Sequence, residues 1–344
     1  MSGKLRLIKR WIVEYFSKCN AKRTYEENDK LFLITGHRGS PTFEAENTFA
    51  SFERALNDGA NSLEVDLCLT KDYEVVLWHD WDPDSTKSLL REGGFEPFVK
   101  YKPHPPRIGS KYRKKINELT VSEFREYFTY KERHSQANII YPVKPKLSEF
   151  FEWCIEQNKV KYIFLDVKTP DEEKQFSIPV IEEIKRLIEK FAPTFKIIIE
   201  TEQPAVFKMI REKYPTLSFG YDIEPQAGLV LLPGKYSAVK KAIKYKNKVA
   251  IGMRPRKITI ANWTTFRRII RYDARLRYLF NKRHPENRIE LLIAATVNKI
   301  EELECLVKFG VGGIQTDVPH RLKNIALKYG RKIEEEQIFE RKIQ

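Results

Sequence analysis

The sequence contains few cysteines, and their spacing matches no metal-binding or redox motif. The four cysteines lie far apart in a chain of 344 residues, at Cys19, Cys68, Cys154 and Cys305, with no CxxC pair. Cys68 and Cys154 stand within apolar patterns, which predicts that both are buried thiols. Buried, unpaired cysteines are typical of a reducing compartment, so we expect a cytoplasmic protein.

Long apolar runs are also absent. Every apolar run is much shorter than the roughly 20 residues that a membrane-spanning helix requires. The N-terminus has no apolar stretch followed by a small-residue cleavage site, so we expect no signal peptide. No GxGxxG motif follows the first predicted strand, which argues against a dinucleotide-binding domain. An apolar fraction of 42% is nevertheless ample for a large buried core.

Acidic residues are in the minority. The chain has 62 lysines and arginines against 47 aspartates and glutamates, and residues 235–288 alone hold 17 basic side chains and two acidic ones. This segment is either a solvated surface or a surface that meets an anionic partner. Residues 4–19 predict a basic amphipathic helix, because their apolar side chains recur at the helical period. Peripheral membrane contact through such helices is one interpretation, and we do not expect nucleic acid as a partner.

A second basic helix is predicted at residues 263–280. Trp263, Phe266 and Ile270 form one apolar stripe along it, with arginines among the flanking residues. The stripe either lies on an anionic membrane or packs against a sheet inside the protein, and we favour packing.

Strand-length apolar runs alternate with helical patterns along most of the chain. The nine runs are LFLIT (31–35), SLEVDLCL (62–69), EVVLW (74–78), KYIFLDV (161–167), KIIIET (196–201), LSFGYDI (217–223), VAIGM (249–253), ELLIAATV (290–297) and GGIQT (312–316). This alternation predicts a parallel α/β sheet. A closed (β/α)8 TIM barrel needs eight strands, so one run is surplus, and we expect it to be 217–223 or 249–253. An open, doubly wound sheet is the competing arrangement.

One connection interrupts this alternation. No strand is predicted between Asp82 and Lys146, and residues 121–128 predict one short helix after Thr120. Within it, residues 84–116 are rich in proline, basic residues and aromatic residues, and connections of this length are usually functional or disordered. We therefore expect a long loop insertion after the third strand. The whole chain is then divided into a basic helix (1–30), a barrel (31–330) and a charged tail (331–344).

Polar residues recur where the predicted strands end. They are His37 and Arg38 after the first strand, Glu64 and Asp66 on the second, His79 after the third, Asp166 and Lys168 on the fourth, and Asp317 after the last. In a barrel all of these lie at the C-terminal rim, where such folds place their chemistry. A carboxylate within an apolar strand is costly unless it is paired or binds a metal ion.

The order of these motifs resembles that of the glycerophosphodiester phosphodiesterase family. The motifs are HRG (37–39), ENT (46–48), ExD (64–66), HD (79–80), NELT (117–120), DxK (166–168) and GGIQTDVP (312–319), and the resemblance covers roughly residues 32–320. It implies a (β/α)8 hydrolase of lipid and glycerol metabolism. Such an enzyme splits small glycerophosphodiesters into glycerol phosphate and an alcohol, using a divalent cation.

The resemblance also implies roles for the rim residues. His37 and His79 are implied to be the acid–base pair, and Arg38 is implied to bind phosphate. Glu64, Asp66 and Asp166 are implied to bind the metal ion.

The residue types suit this chemistry. Carboxylate oxygens favour Mg²⁺ or Ca²⁺, a guanidinium can contact two phosphate oxygens, and imidazoles exchange protons near neutral pH. Lys168 adds a positive charge beside the metal ligands, which predicts a contact with the substrate phosphate. Glu46 and Asp317 are candidates to support the site, and Thr48 and Asn47 are expected to cap the first helix.

The insertion is expected to form a lid at the catalytic rim, because it follows the strand that ends near His79. In it, Phe95, Phe98 and Tyr101 are expected to shape the pocket for the alcohol of the substrate, together with basic residues. The alternative is a disordered surface loop.

The chain departs from the family at the fourth strand, and two other functions compete with the family function. The family usually has Glu-x-Lys where this chain has Asp166-Val167-Lys168, and aspartate is one methylene shorter, so the metal ion must lie closer or be bridged by water. The Asp-x-Lys form is similar to that of sphingomyelinase D-like phospholipases, which act on lipid phosphodiesters but generally lack the HRG…ENT pairing. A basic binding protein without activity is the third reading, and the complete set of rim residues disfavours it.

Overall fold

A closed barrel of eight parallel strands forms the centre of the molecule. The computed structural model describes residues 19, 30–135, 138–223, 236–254 and 262–334. The barrel strands are β1 (Leu33–His37), β2 (Ser62–Leu69), β7 (Tyr162–Val167), β8 (Lys196–Thr201), β9 (Phe219–Ile223), β10 (Val249–Met253), β11 (Leu291–Ala295) and β12 (Gly313–Thr316). Strand β1 pairs with both β12 and β2, and this closes the ring. The (β/α)8 prediction is confirmed, and the open sheet is excluded.

The surplus strand is β3 (Val75–Leu77), which pairs antiparallel with the end of β2. The prediction that 217–223 or 249–253 would be surplus is wrong, since both runs lie in the barrel as β9 and β10. Strand β3 is as buried as a barrel strand, and its Leu77 N–H donates to the carbonyl of Pro145. Burial alone makes a run apolar, so hydropathy cannot distinguish it from a barrel strand.

Helices cover the outside of the barrel. They are α1 (Phe49–Asn57), α4 (Leu147–Ile155), α5 (Ser177–Phe191), α6 (Pro204–Lys213), α7 (Ala238–Tyr245), α8 (Asn262–Arg283), α9 (Ile300–Phe309) and α10 (Pro319–Lys328). Thr48 caps α1, since its side chain accepts the N–H of Ser51. Gly310 ends α9 with a φ of 78°, the left-handed conformation that glycine adopts without strain.

The insertion between β3 and α4 is an ordered unit. It contains α2 (Thr86–Glu92), β4 (Tyr101–His104), α3 (Val121–Tyr127), β5 (Thr129–Glu132) and β6 (Ile139–Ile140), and its three strands form a separate antiparallel sheet. The prediction that residues 82–146 contain no strand is therefore wrong. These strands are too short and too polar to show an alternating apolar pattern. Thr120 caps α3, and its reciprocal contact with Glu123 completes a capping box.

One buried cluster lies inside the barrel and a larger one surrounds it. Apolar residues on alternate positions of the strands point inward and form the floor of the barrel, including Phe164, Ile198, Ile251 and Ile293. The larger cluster lies between the strands and the helices. It includes Phe266 and Ile270 of α8, with Trp263 packed against it, so the apolar stripe of this helix packs inside the protein as expected.

The cysteines divide into a disulfide and two free thiols. Cys68 and Cys154 are buried, which confirms the prediction for these two residues. Cys19 and Cys305 form a disulfide, and this does not fit the expected reducing compartment. The predicted helix at 4–19 lies outside the described residues except for Cys19, and so does the tail beyond residue 334. In the part of the chain that the structure describes, no helix combines the length and the apolarity that crossing a membrane requires.

Candidate active site

Carboxylates line the barrel interior above its apolar floor. Strand register places Asp66 beside Asp166, and Asp166 beside Glu200, at the C-terminal ends of β2, β7 and β8. Glu64 lies two residues before Asp66 and points to the same side of the strand. Glu64, Asp166 and Glu200 each contribute one oxygen to a buried group whose members lie within 4.8 Å of one another. Buried carboxylates at this separation require protons or a cation to offset their repulsion.

The ionisation of this group reflects burial and neighbouring charges. Burial raises the pKa of Glu64 well above its ordinary value, and the nearby Asp66 raises it further. Burial also raises the pKa of Asp166, against the opposing effect of Lys168. The ammonium of Lys168 ion-pairs with Asp166, and with Asp66 at 2.8 Å. Among the described residues, none hydrogen-bonds to Oδ1 of Asp166, so this oxygen is available to a ligand.

Asp66 lies beside the carboxylate group and is occupied by protein donors. Its oxygens contact Nε of Arg38 at 3.0 Å, Nζ of Lys168 at 2.8 Å and Nδ2 of Asn47 at 2.8 Å. Burial alone would raise the pKa of Asp66, but Lys168 and Arg38 outweigh burial and lower it. Asp66 is therefore a charged anchor for both cations in this structure.

Arg38 is held by its backbone and by three carboxylates. Its φ of 54° lies in the left-handed region, and its N–H donates to Oε2 of Glu64 at 2.9 Å. The guanidinium is buried and contacts Glu46 at 2.8 Å, Asp66 at 3.0 Å and Glu96 at 3.1 Å. These contacts fix the direction in which the guanidinium faces the site.

The loop before α1 supplies two further site residues. Glu46 bridges Arg38 and Arg91, which is the kind of contact that its predicted supporting role requires. The prediction that Asn47 caps α1 is wrong, because its side chain faces the site. Its amide donates to the carboxylate of Asp66, and its carbonyl accepts the backbone N–H of Asp66 at 3.2 Å.

His37 is oriented by residues at the ends of neighbouring barrel strands. Its Nδ1 lies 2.7 Å from Oδ1 of Asp317, and its Nε2 lies 3.9 Å from Oε2 of Glu64. Asn298 donates to the other oxygen of Asp317 and accepts the backbone N–H of Asp317 at 2.8 Å. The hydrogen bond to Asp317 directs Nε2 of His37 toward the carboxylates.

His79 is oriented by a different set of residues. Its Nδ1 lies 2.7 Å from Oδ1 of Asp80, and Asp80 pairs with Nη1 of Arg91 at 2.9 Å. Burial lowers the pKa of His79 well below its ordinary value, and the charges of Arg91 and Arg38 lower it further. Among the described residues, none hydrogen-bonds to Nε2 of His79. A neutral imidazole with a free Nε2 is suited to accept a proton.

A cavity of about 360 Å³ opens beside His79. Its lining includes Lys168 and Glu202 from the barrel, and Ser85, Lys87, Ser88 and Lys115 from the insertion. Lys87 and Glu202 ion-pair at 3.0 Å and so join the two parts. Phe95, Phe98 and Tyr101 do not line this cavity, and Phe95 is 75% exposed, whereas Trp81 does line it. The role of the first three in shaping the pocket for the alcohol stays a prediction.

Sequence reasoning missed several residues of the site. Glu200 ends an apolar strand in the same way as Asp166, so the signal that identified the other carboxylates was present for it. The carboxylate group contains Glu200 and does not contain Asp66, whose role as a metal ligand stays a prediction. Asn298 is a polar residue after β11, but it is uncharged, so its position at a strand end was a weaker indication of function. Arg91 lies in an insertion without a recognisable pattern, and no sequence signal pointed to it.

Comparison with known proteins agrees with this geometry. Residues 37–321 match the model of the glycerophosphoryl diester phosphodiesterase family. A curated glycerophosphodiester phosphodiesterase from Caldanaerobacter subterraneus is 23% identical over 303 residues, which cover 87% of this chain and 99% of that protein.

Solved structures show the same fold. A putative glycerophosphoryl diester phosphodiesterase from Silicibacter pomeroyi superposes with a TM-score of 0.67 at 16% identity, over 92% of this chain and 99% of that chain. A phosphodiesterase from Oleispira antarctica, in complex with the product sn-glycerol-3-phosphate, superposes with a TM-score of 0.53 at 15% identity, over 86% and 96% of the two chains. From the family match, this chain belongs to the glycerophosphoryl diester phosphodiesterase family and is a phosphoric diester hydrolase.

Proposed function

We propose that this enzyme hydrolyses glycerophosphodiesters to glycerol phosphate and an alcohol, with His37 and His79 exchanging protons beside a divalent cation. One observation carries this proposal: both histidines have Nδ1 bound to an aspartate, and a carboxylate group lies at the same rim. That arrangement leaves Nε2 of each ring for proton transfer.

The carboxylate group fits a divalent metal ion. Glu64, Asp166 and Glu200 offer hard oxygen ligands, and burial with like-charge repulsion makes a cation there favourable. Oδ1 of Asp166 has the free valence that a ligand needs. Asp166 is one methylene shorter than the glutamate that is usual in the family. Glu200 on the neighbouring strand supplies a further carboxylate oxygen to the group. Asp66 would have to exchange its contact with Lys168 before it could act as a ligand. The cation, when bound, would polarise a phosphoryl oxygen and offset negative charge in the transition state.

The two histidines differ in the role that their surroundings favour. The lowered pKa of His79 keeps its ring neutral, so it is suited to take a proton from the attacking water. His37 then protonates the oxygen of the leaving alcohol. The water oxygen forms a bond to phosphorus, and the bond between phosphorus and the alcohol oxygen breaks. The resulting protonation states reverse before the next turnover.

Arg38 and Lys168 supply positive charge to the phosphate. Both are buried, and both are paired with Asp66, so their positions are fixed before substrate arrives. Lys168 also lines the cavity beside His79 and pairs with Asp66 and Asp166, which supports a contact between its ammonium and a bound phosphate.

The cavity favours a polar alcohol over a lipid. Its lining is made mostly of charged and hydroxyl side chains, and its volume of about 360 Å³ suits a head group. Burying an acyl chain against these groups would cost the desolvation of several charges. The glycerol phosphate bound to the Oleispira relative supports the same class of substrate.

A metal-dependence assay with paired substrates tests the proposal. Purified protein is treated with EDTA and then supplied with Mg²⁺ or Ca²⁺, and turnover is measured on glycerophosphocholine, glycerophosphoinositol and lysophosphatidylcholine. We expect activity only with metal present, and higher kcat/KM on the two deacylated substrates. Full activity in EDTA contradicts the metal assignment, and a preference for the lysophospholipid contradicts the assigned substrate class. Isothermal titration with Glu200→Gln tests the ligand set separately, because weaker metal binding is expected without any need for turnover.

A further inference from the structure

Four buried or half-buried side chains form a closed ring of ion pairs at the catalytic rim. Arg38 contacts Glu46 at 2.8 Å, Glu46 contacts Arg91, Arg91 contacts Glu96 at 2.7 Å, and Glu96 contacts Arg38 at 3.1 Å. Arg91 also holds Asp80 through Nη1 at 2.9 Å. The positive and negative members alternate around the ring, so each charge is neutralised by two neighbours.

The ring joins two parts of the molecule. Arg38 and Glu46 belong to the loop after β1, whereas Arg91 and Glu96 belong to the insertion. Arg91 uses three different nitrogens for its three carboxylates: Nε for Glu96, Nη1 for Asp80 and Nη2 for Glu46. The planar guanidinium holds its donors in a fixed arrangement, which suits it to contact three carboxylates on different sides.

We propose that Arg91 is a positioning residue for the hydrolysis described above, acting through Asp80 on His79 and through Glu46 on Arg38. The proposal rests on the proposed function. In it, the insertion is a structural part of the catalytic site, and its Arg91 sets the separation between the proton acceptor and the phosphate-binding guanidinium. Arg91 itself contacts no reacting atom.

The physical argument is one of buried charge. Arg91 is 5% exposed, and burial alone would lower its pKa, yet Asp80, Glu46 and Glu96 outweigh burial and raise it. Loss of its charge would leave these carboxylates buried with too few partners, and they would rearrange or take up water. Asp80 and Glu46 would then no longer hold His79 and Arg38 in place. Misplacement of a catalytic group by about 1 Å can cost roughly 10²-fold in rate.

Arg113 provides a matched control within the same insertion. It is also a buried arginine, with ion pairs to Asp84 at 2.7 Å and Glu92 at 2.8 Å. Its carboxylate partners do not contact His79 or Arg38. Arg113→Ala therefore removes two ion pairs from the insertion, to carboxylates that are 60% and 29% exposed, and leaves the ring intact.

The experiment compares Arg91→Ala with Arg113→Ala in the full-length, metal-loaded protein, using glycerophosphocholine. We expect kcat to fall about 10²-fold in Arg91→Ala and less than about threefold in Arg113→Ala. Added guanidinium at millimolar concentration should restore part of the kcat of Arg91→Ala and none in the control. The ¹⁵N NMR signal of His79 Nδ1, which reports the bond to Asp80 without turnover, should shift in Arg91→Ala alone.

The outcomes separate this inference from the proposed function. An inactive wild-type protein contradicts the proposed function, while the NMR comparison still tests Arg91. Equal losses of kcat in the two variants, or an unchanged His79 signal in Arg91→Ala, overturn the inference. If Arg91→Ala does not fold, Arg91→Lys is used, which keeps the charge but not the three-way geometry. We expect it to fold with reduced kcat, and wild-type kcat in this variant overturns the inference.

Discussion

The two histidines of the candidate site are held by two different parts of the molecule. His37 lies at the end of β1, and both Asp317 and Asn298, which orient it, follow barrel strands. His79 follows β3 outside the barrel, and its aspartate is held by Arg91 of the insertion. The His37 side chain is 12% exposed, and the His79 side chain is 2% exposed.

The difference lies in what supports each imidazole. A neutral amide supports the Asp317 that holds His37, whereas a buried guanidinium supports the Asp80 that holds His79. Burial lowers the pKa of His79, and the positive charges of Arg91 and Arg38 lower it further, although Nδ1 of each ring has an aspartate partner. These unlike surroundings support the proposal that His79 acts as the base and His37 as the acid.

Removing either imidazole should have the largest effect. We expect His37→Ala and His79→Ala each to lower kcat by at least about 10²-fold, since each removes one proton-transfer group. Turnover of glycerophosphocholine at saturating metal measures the loss, and thermal melting of each variant checks the fold. If one variant keeps near-wild-type turnover, the assignment of two proton-transfer groups fails.

Replacing the aspartate that orients each histidine should show whether His37 and His79 are supported differently. Asp317→Asn and Asp80→Asn should each lower kcat by about 10-fold to 10²-fold, because the imidazole loses the carboxylate that sets its orientation. Asp80→Asn should also reduce the free energy of unfolding by about 1–3 kcal/mol, since Arg91 retains its buried charge with one carboxylate fewer. Urea denaturation gives this quantity. An equal loss of unfolding free energy in Asp80→Asn and Asp317→Asn would contradict the special effect assigned to Arg91.

The pH dependence should show the smallest effect. Because the pKa of His79 is lowered by burial and by Arg91 and Arg38, its ring stays neutral as the pH falls through about 6.5. The acidic limb of kcat/KM should therefore lie below that pH. Arg91→Met removes one of the charges that lower this pKa, so the limb should move toward higher pH by less than about one unit. A profile of kcat/KM at saturating metal measures both positions, and a shift toward lower pH would reverse the assigned sign.

The barrel half of the site could largely be predicted from the sequence. His37, Arg38, Asp166 and Lys168 end or follow an apolar run, Glu64 lies within one, and parallel strands bring such positions to one rim. Glu200 follows the same rule but lies outside the motifs that carry the family resemblance in this sequence. The roles of these residues stay predictions until the variants are measured.

The insertion half could not be predicted in the same way. Its strands are short and polar, and its Arg91 lies in a helix of seven residues without an unusual local pattern. The contacts of Arg91 with Glu46 and Asp80 depend on how the insertion packs on the barrel. Local sequence patterns do not predict that packing.

The sequence by itself determined the barrel and the order of its rim residues, because both follow from the local alternation of strands and helices. Only the tertiary structure decided which carboxylates share a site, which strand is surplus, and which cation supports which histidine. These outcomes depend on strand register and on the docking of the insertion. Charges distant in sequence come within 3 Å of one another there, and burial makes their pairing obligatory.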